Sequence, residues 1–346
     1  MPITTPSFQV GVNLGGWISQ YPAFETSHFD TFITPSDIDR IASWGMDHVR
    51  LPVDYPVLEA DAPPFVYREE GLAYIDACLE WCRARDLSVV LDLHKAPGFS
   101  FDDASVESLF NDPVKQDRLV ALWEMLARRY CSIGSTLAFE LLNEIVLPSS
   151  EPWNRLARRV LAAIRAIDPE RWVVVGGNQF NSASQLVNLD LPDDPRLLYT
   201  FHFYEPLLFT HQKAPWVPVT REYNQRVEYP GECHGLDKFL AAHPELDLTG
   251  GFILEPRVDR AAVLRAMQPA LDFIARTGRP LYCGEYGVID RAPTPSLLRW
   301  HEDVVAILRK HGIGRAVWSY KQMDFGLVDA DGRVIIGNLV KIASER

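Results

Sequence analysis

Two glutamates end apolar runs far apart in the chain: Glu144 closes LAFELLNE and Glu285 closes LYCGE. Glutamate is almost never buried without a partner, so this placement points to a site, against the plainer reading of two structural salt bridges. Two carboxylates facing one another across a cleft suit hydrolysis of a glycosidic bond. One protonates the leaving oxygen, and the other attacks the anomeric carbon or activates a water that does. Arg50, in HVRLPV, would hold one carboxylate ionised, while the other needs its pKa raised to donate a proton near neutral pH. Glu140 lies four residues before Glu144 and reads as a member of an internal network rather than as the reacting acid.

These residues need elements to carry them. Eight short apolar, β-branched runs alternate with amphipathic segments: Val10–Leu14, His48–Val53, Val89–His94, Leu137–Glu144, Trp172–Gly177, Tyr199–Tyr204, Pro280–Glu285 and Arg315–Tyr320. Several are almost continuously apolar, as parallel strands buried on both faces must be. Between them, Leu72, Ile75, Leu79 and Cys82 recur at helical spacing, as do Leu156, Val160, Ile164 and Ile167. Thr34-Pro35-Ser36-Asp37 opens a helix with a cap, a proline and an acid in the first turn. Eight strands, each followed by a helix or by a connection long enough for one, predict an α/β fold, a (β/α)8 TIM barrel. A doubly wound sheet is the alternative, but no strand leads into GxGxxG or a P-loop.

Catalytic groups of such barrels project from the C-terminal strand ends. The ends carry Arg50, His94, Asn143 beside Glu144, His202, Tyr204, Glu285 and Trp318. Taken singly, the histidines read more readily as satisfied core residues, and Trp318 as core. The connection 205–259, after strand six, is rich in aromatics, prolines and glycines and has little periodicity. A loop of this length is usually functional. It is expected to wall the cleft, with Trp216 or Tyr223 offering a ring to a sugar.

Composition narrows the partners. The 346 residues carry 46 acidic and 34 basic side chains, a net charge of −12, which disfavours nucleic acid and leaves a neutral sugar acceptable. No run approaches the ~18 apolar residues of a membrane span. MPITTPSFQV contains no basic stretch leading into an apolar run, so a cytoplasmic protein is expected, or a secreted one had a leader been removed. The five cysteines read as free thiols. Cys78 and Cys82 have the spacing of a zinc pair but no complementary ligands, so a buried apolar pair is expected.

The ordered set GVNLGGW, HVRLPV, LDLH, ELLNE, HFY, GEYG and VWSY resembles glycoside hydrolase family 5, the cellulase-type retaining β-glycosidases of clan A. The resemblance spans Gly11 to Gly326 and implies a single (β/α)8 catalytic domain over 1–346. It also implies Glu144 as acid/base and Glu285 as nucleophile, with Asn143 on the sugar 2-hydroxyl. Arg50 and Tyr204 would polarise Glu285, His202 would lie near the acid/base, and His94 and Trp318 would contact the −1 sugar. The expected substrate is a β-linked gluco- or manno-configured poly- or oligosaccharide, most simply a β-1,4-glucan cut internally. Exo-action on short oligosaccharides or glycoconjugates is the alternative. No metal or organic cofactor is expected. A metal-dependent barrel hydrolase would open with HxH on strand one, and a serine hydrolase would carry GxSxG; neither motif occurs. A non-catalytic carbohydrate binder predicts loss of one glutamate, and both are present.

Overall fold

The computed structural model describes residues 8–103, 106, 108–190, 192–246 and 254–346. Eight strands close a parallel barrel. They are β1 (Val10–Asn13), β2 (His48–Asp54), β3 (Ser88–Lys95), β4 (Leu137–Glu140), β5 (Trp172–Gly176), β6 (Leu197–Phe203), β9 (Leu281–Tyr286) and β10 (Gly314–Val317). β10 pairs with both β9 and β1, which completes the circle. A two-stranded antiparallel ribbon, β7 (Gly231–Glu232) with β8 (Arg257–Val258), lies outside it.

Alternation along the strands sorts the residues into two layers. Val89, Leu91 and Leu93 of β3, and Leu137 and Phe139 of β4, join the large core shared with the helices. Val90, Ala138, Trp172, Val174, Leu198, Tyr282 and Ala316, from six strands, form with Phe8 a separate cluster that fills the barrel. Continuing the period of two from that inner cluster carries Arg50, Asp92, His94 and Glu140 upward along the same face. All four are buried.

The helices begin where the signals stand. Asp37 accepts from the Thr34 N–H at 2.9 Å, and Pro35 occupies the first position of the helix Pro35–Ser43. The Asp112 carboxylate accepts from the Val114 N–H at 2.9 Å at the head of Pro113–Tyr130. Cys78 and Cys82 are buried free thiols on the helix Glu69–Arg83.

Two strand ends need correction. β4 ends at Glu140, not Glu144: beyond it Leu141 still bonds Val174 and Asn143 bonds Leu93, but Glu144 turns to φ 37°, which no strand accommodates. β10 ends at Val317, three residues short of the expected end, where Trp318 bonds back to Tyr286. After β5 comes a connection rather than a full helix among the described residues, as the pattern allowed: it holds the single turn Asn178–Asn181 and the 3₁₀ segment Ala183–Asn188.

The long connection after β6 has more order than its composition predicts. It contains the helices Leu207–Thr210, Pro218–Tyr223 and Leu236–Ala242 together with the ribbon. Residues 247–253 of it lie outside the described residues. It is fastened to the helix Thr294–Lys310. Tyr229 Oη donates to Asp303 at 2.7 Å, Ser296 Oγ donates to Glu228 at 2.7 Å, and Trp300 Nε1 donates to the Glu205 carbonyl at 2.9 Å.

Candidate active site

Arg50 organises the upper end of the barrel. It is fully buried, and each nitrogen of its guanidinium has acceptors. Nε and Nη2 donate to the two oxygens of Glu140 at 2.7 and 3.0 Å. Nη1 donates to Glu285 Oε1 at 2.7 Å and to Asn13 Oδ1 at 3.0 Å. Nη2 also reaches Asn143 Oδ1 at 2.9 Å and Asp92 Oδ2 at 3.1 Å. Burial opposes the guanidinium charge, yet Asp92, Glu140 and Glu285 hold its pKa well above the ordinary arginine value.

Glu285 reaches this arginine through a bulge. The outward Cys283 aligns with Phe201, but the next inward pair is His202 with Glu285, so Gly284 is the extra residue. Strict alternation would aim Glu285 out toward the helices. A Cβ on Gly284 would stand 2.9 Å from Thr200 Oγ1 and 3.2 Å from His202 Nε2, so only glycine fits the inturned position. Tyr204 Oη then donates to Glu285 Oε2 at 2.8 Å, so both carboxylate oxygens receive a hydrogen bond.

Glu144 sits opposite. His202 Nδ1 shares a 2.7 Å hydrogen bond with Glu144 Oε1 and lies 3.6 Å from Glu285 Oε2. One ligand atom from each of Glu144, His202 and Glu285 lies within 4.8 Å of the others. These three atoms are close enough to approach a single cation; the Glu144–His202 and Tyr204–Glu285 hydrogen bonds also account for the convergence. Carboxyl groups about 5–5.5 Å apart belong to double displacement, whereas a water-activating pair stands about 6.5–9.5 Å apart.

Electrostatics separate the two acids. Burial raises both carboxyl groups above the ordinary range. For Glu285, the Arg50 charge, His94 and the Tyr204 hydrogen bond pull the value back. For Glu144, the charge of Glu285 adds to burial and pushes the group far higher. Burial drives His202 well below its usual value, so the ring is neutral. Glu144 is thus the better placed of the two to hold a proton, and Glu285 the better stabilised as an anion. We expect the basic limb of kcat/KM on unactivated sugars to report loss of that proton, above the usual carboxylate range. A dinitrophenyl glycoside, which needs no proton, should lack this limb. Superimposable pH profiles for the two substrates would contradict the assignment.

The remaining predicted residues surround this centre. Asn143 Oδ1 is committed to Arg50, which orients Nδ2 with no protein partner among the described residues, a buried donor suited to a sugar hydroxyl. His94 Nδ1 bonds Asp92 Oδ2 at 2.6 Å, and burial lowers the His94 pKa to about 4. Its ring stacks on Trp318 with centroids 5.8 Å apart and planes within 3°. A Cβ on Gly15 would meet the Trp318 ring at 2.7 Å, which explains the small residue in GVNLGGW. Trp216 is half exposed, edge-on to His211, which in turn contacts the Tyr204 ring.

Tyr223 is a correction. It is 5% exposed, packs on Phe239 and donates its hydroxyl to the His234 carbonyl at 2.9 Å. A ring so enclosed offers no face to a sugar. Sequence reasoning also passed over Asn13 and Asp92. Asn13 fixes Arg50 while its Nδ2 donates to the Gly284 carbonyl at 3.0 Å, next to the bulge. Asp92 touches both Arg50 and His94. The signal for Asp92 was its place two residues before His94 on one strand face.

The sequence pattern of the cellulase family, glycosyl hydrolase family 5, matches residues 11–324. The chain belongs to that family. It is an O-glycosyl hydrolase of the retaining type, as the motifs led one to expect. It is 46% identical over 343 residues to endoglucanase C of Acetivibrio thermocellus, covering 98% of this chain and 99% of the relative. Cellodextrinase A of Ruminococcus flavefaciens is 36% identical over 307 residues, 88% of this chain and 83% of the relative. Among solved structures, the family-5 endoglucanase Cel5A of Thermotoga maritima superposes with a TM-score of 0.78 at 25% identity, covering 97% of each chain. Among the described residues, no helix is long and apolar enough to cross a membrane.

Proposed function

We propose that this family-5 enzyme cleaves β-1,4-linked glucans internally, with Glu285 as nucleophile and Glu144 as acid/base. The observation that carries the roles is the contrast between two acids within 4.8 Å: Glu285 is held by Arg50 and Tyr204, whereas among the described residues Glu144 is held by a neutral histidine alone. In the first step Glu285 attacks the anomeric carbon while Glu144 protonates the departing oxygen. In the second, Glu144 deprotonates a water that releases the sugar from Glu285. Asn143 Nδ2 meets the 2-hydroxyl, and the stacked His94 and Trp318 rings bound the −1 sugar.

The similarity to endoglucanase C supports the glucan and the internal cut. Cellodextrinase A supports the second reading, action on short oligosaccharides. Structures of the Thermotoga maritima Cel5A with cellobiose and with mannotriose keep manno-configured substrates in view. Digestion of a cello-oligosaccharide of six units, with chromatography of early products, distinguishes the readings: internal products mark an endo enzyme, and steady release of one terminal unit marks an exo enzyme. Proton NMR of the same reaction should show the β-anomer first. An initial burst of α-anomer would remove the double displacement.

The 205–259 segment is assigned to one wall of the cleft, with Trp216 as its sugar platform. The support is the ring path from Tyr204 through His211 to Trp216. Trp216→Ala is expected to raise KM several-fold with kcat little changed, the loss of about 1 kcal/mol of ring contact. An unchanged KM on every substrate turned over would remove Trp216 from the cleft.

A further inference from the structure

We propose that the turn after β5, residues 178–182, positions the acid/base, with Asn178 as its positioning residue acting through the backbone that follows Glu144. The inference rests on the acid/base reading of Glu144 given above.

Glu144 has left the β4 ladder and stands at φ 37°, a left-handed conformation that a glutamate adopts only when its surroundings impose it. Three residues later, Asn178 grips the backbone of Leu147 at both its N–H and its carbonyl. Its Oδ1 accepts from the Leu147 N–H at 2.8 Å, and its Nδ2 donates to the Leu147 carbonyl at 2.8 Å. The Phe180 N–H donates to the Ile145 carbonyl at 3.1 Å. The chain leaving Glu144 is thus held at Ile145 and at Leu147, both times by this turn.

The turn is itself unusual. Gln179, Phe180 and Asn181 are consecutive left-handed residues with φ of 51°, 57° and 55°, and none is glycine. Each such residue costs on the order of 1–2 kcal/mol. Asn181 holds them in place: it is 2% exposed, and its Oδ1 accepts from the Gly177 N–H at 2.9 Å. That oxygen lies 2.3 Å from where a Cβ on Gly176 would stand, so the glycine makes room for it. At the exit, Ser182 forms a parallel β-bridge with His202, the residue bonded to Glu144. One strained turn therefore contacts the supports of both members of the Glu144–His202 pair. A connection that served only to link β5 to β6 would need neither the strain nor the paired asparagines.

The test compares kcat/KM on an unactivated cello-oligosaccharide with kcat/KM on a dinitrophenyl β-cellobioside, on the same preparation. Loss of folded enzyme cancels in this ratio, whereas misplacement of the proton donor does not. Glu144→Ala should lower the ratio by about 10²–10⁴-fold. Asn178→Ala should lower it by about 10- to 100-fold, the scale of an ångström-level misplacement. Asn178→Asp keeps the acceptor to Leu147 and should lower it less; it carries the same test should the alanine variant not fold. A ratio unchanged in the Asn178 variants beside a fallen one in Glu144→Ala overturns the positioning role. A ratio unchanged in Glu144→Ala overturns the acid/base reading beneath it.

Discussion

Glu285→Gln is expected to abolish turnover of activated and unactivated glycosides alike, by on the order of 10⁶-fold, the scale seen when a nucleophile is removed. The amide keeps the size of the carboxylate and an oxygen for Arg50 Nη1, so the cavity should hold its shape. What it cannot do is form the bond to the anomeric carbon, and no leaving group compensates for that. Glu144→Ala should behave differently. Natural sugars should lose about 10²–10⁴-fold, while dinitrophenyl glycosides still form the intermediate, because their leaving group departs unaided. The second step then stalls for want of a base, and azide, which needs none, should relieve it and give a glycosyl azide of retained configuration. Steady-state rates for both variants on both substrate types, with and without azide, decide the matter. If Glu285→Gln were tolerated on activated substrates, the two glutamates would exchange roles.

Arg50→Met is expected to cost about 3–5 kcal/mol of stability, far more than a surface ion pair. Methionine roughly replaces the side chain's stem but leaves the buried carboxylates Asp92, Glu140 and Glu285 facing one another with no cation between them. Even with the arginine present, burial raises Asp92 to about 7, Arg50 being the opposing influence, and raises Glu140 as well. Without it, these native pKa values rise further above those of the unfolded chain. A carboxyl raised in this way folds well when protonated, and it penalises the fold as pH climbs above its unfolded value. The stability gap between Arg50→Met and the parent should therefore widen from pH 5 to pH 8 in chemical denaturation. A gap of constant size would reduce the role of Arg50 to packing. Activity should vanish with the arginine too, because Glu285 would hold a proton and lose its nucleophilic pair.

The sequence by itself determined the architecture and the family, and it singled out the two glutamates proposed as the reacting groups. Eight buried strands alternating with helical stripes leave few other closed arrangements, and glutamates at the ends of apolar runs advertise a site because burial without a partner is so costly. Inward-facing Arg50, His94 and His202 follow from the same period of two. Tertiary structure alone decided which way Glu285 points, since the bulge at Gly284 reverses the alternation that sequence reasoning relies on. It also decided where β4 stops, because the left-handed Glu144 depends on contacts from a turn more than thirty residues away. Tyr223 and Trp216 show the limit plainly: both are aromatics in one segment of little periodicity, yet one is packed on Phe239 and the other is half exposed. Composition sets what a residue could offer, but only the fold's long-range packing sets which face meets the cleft, and that information is not local in the chain.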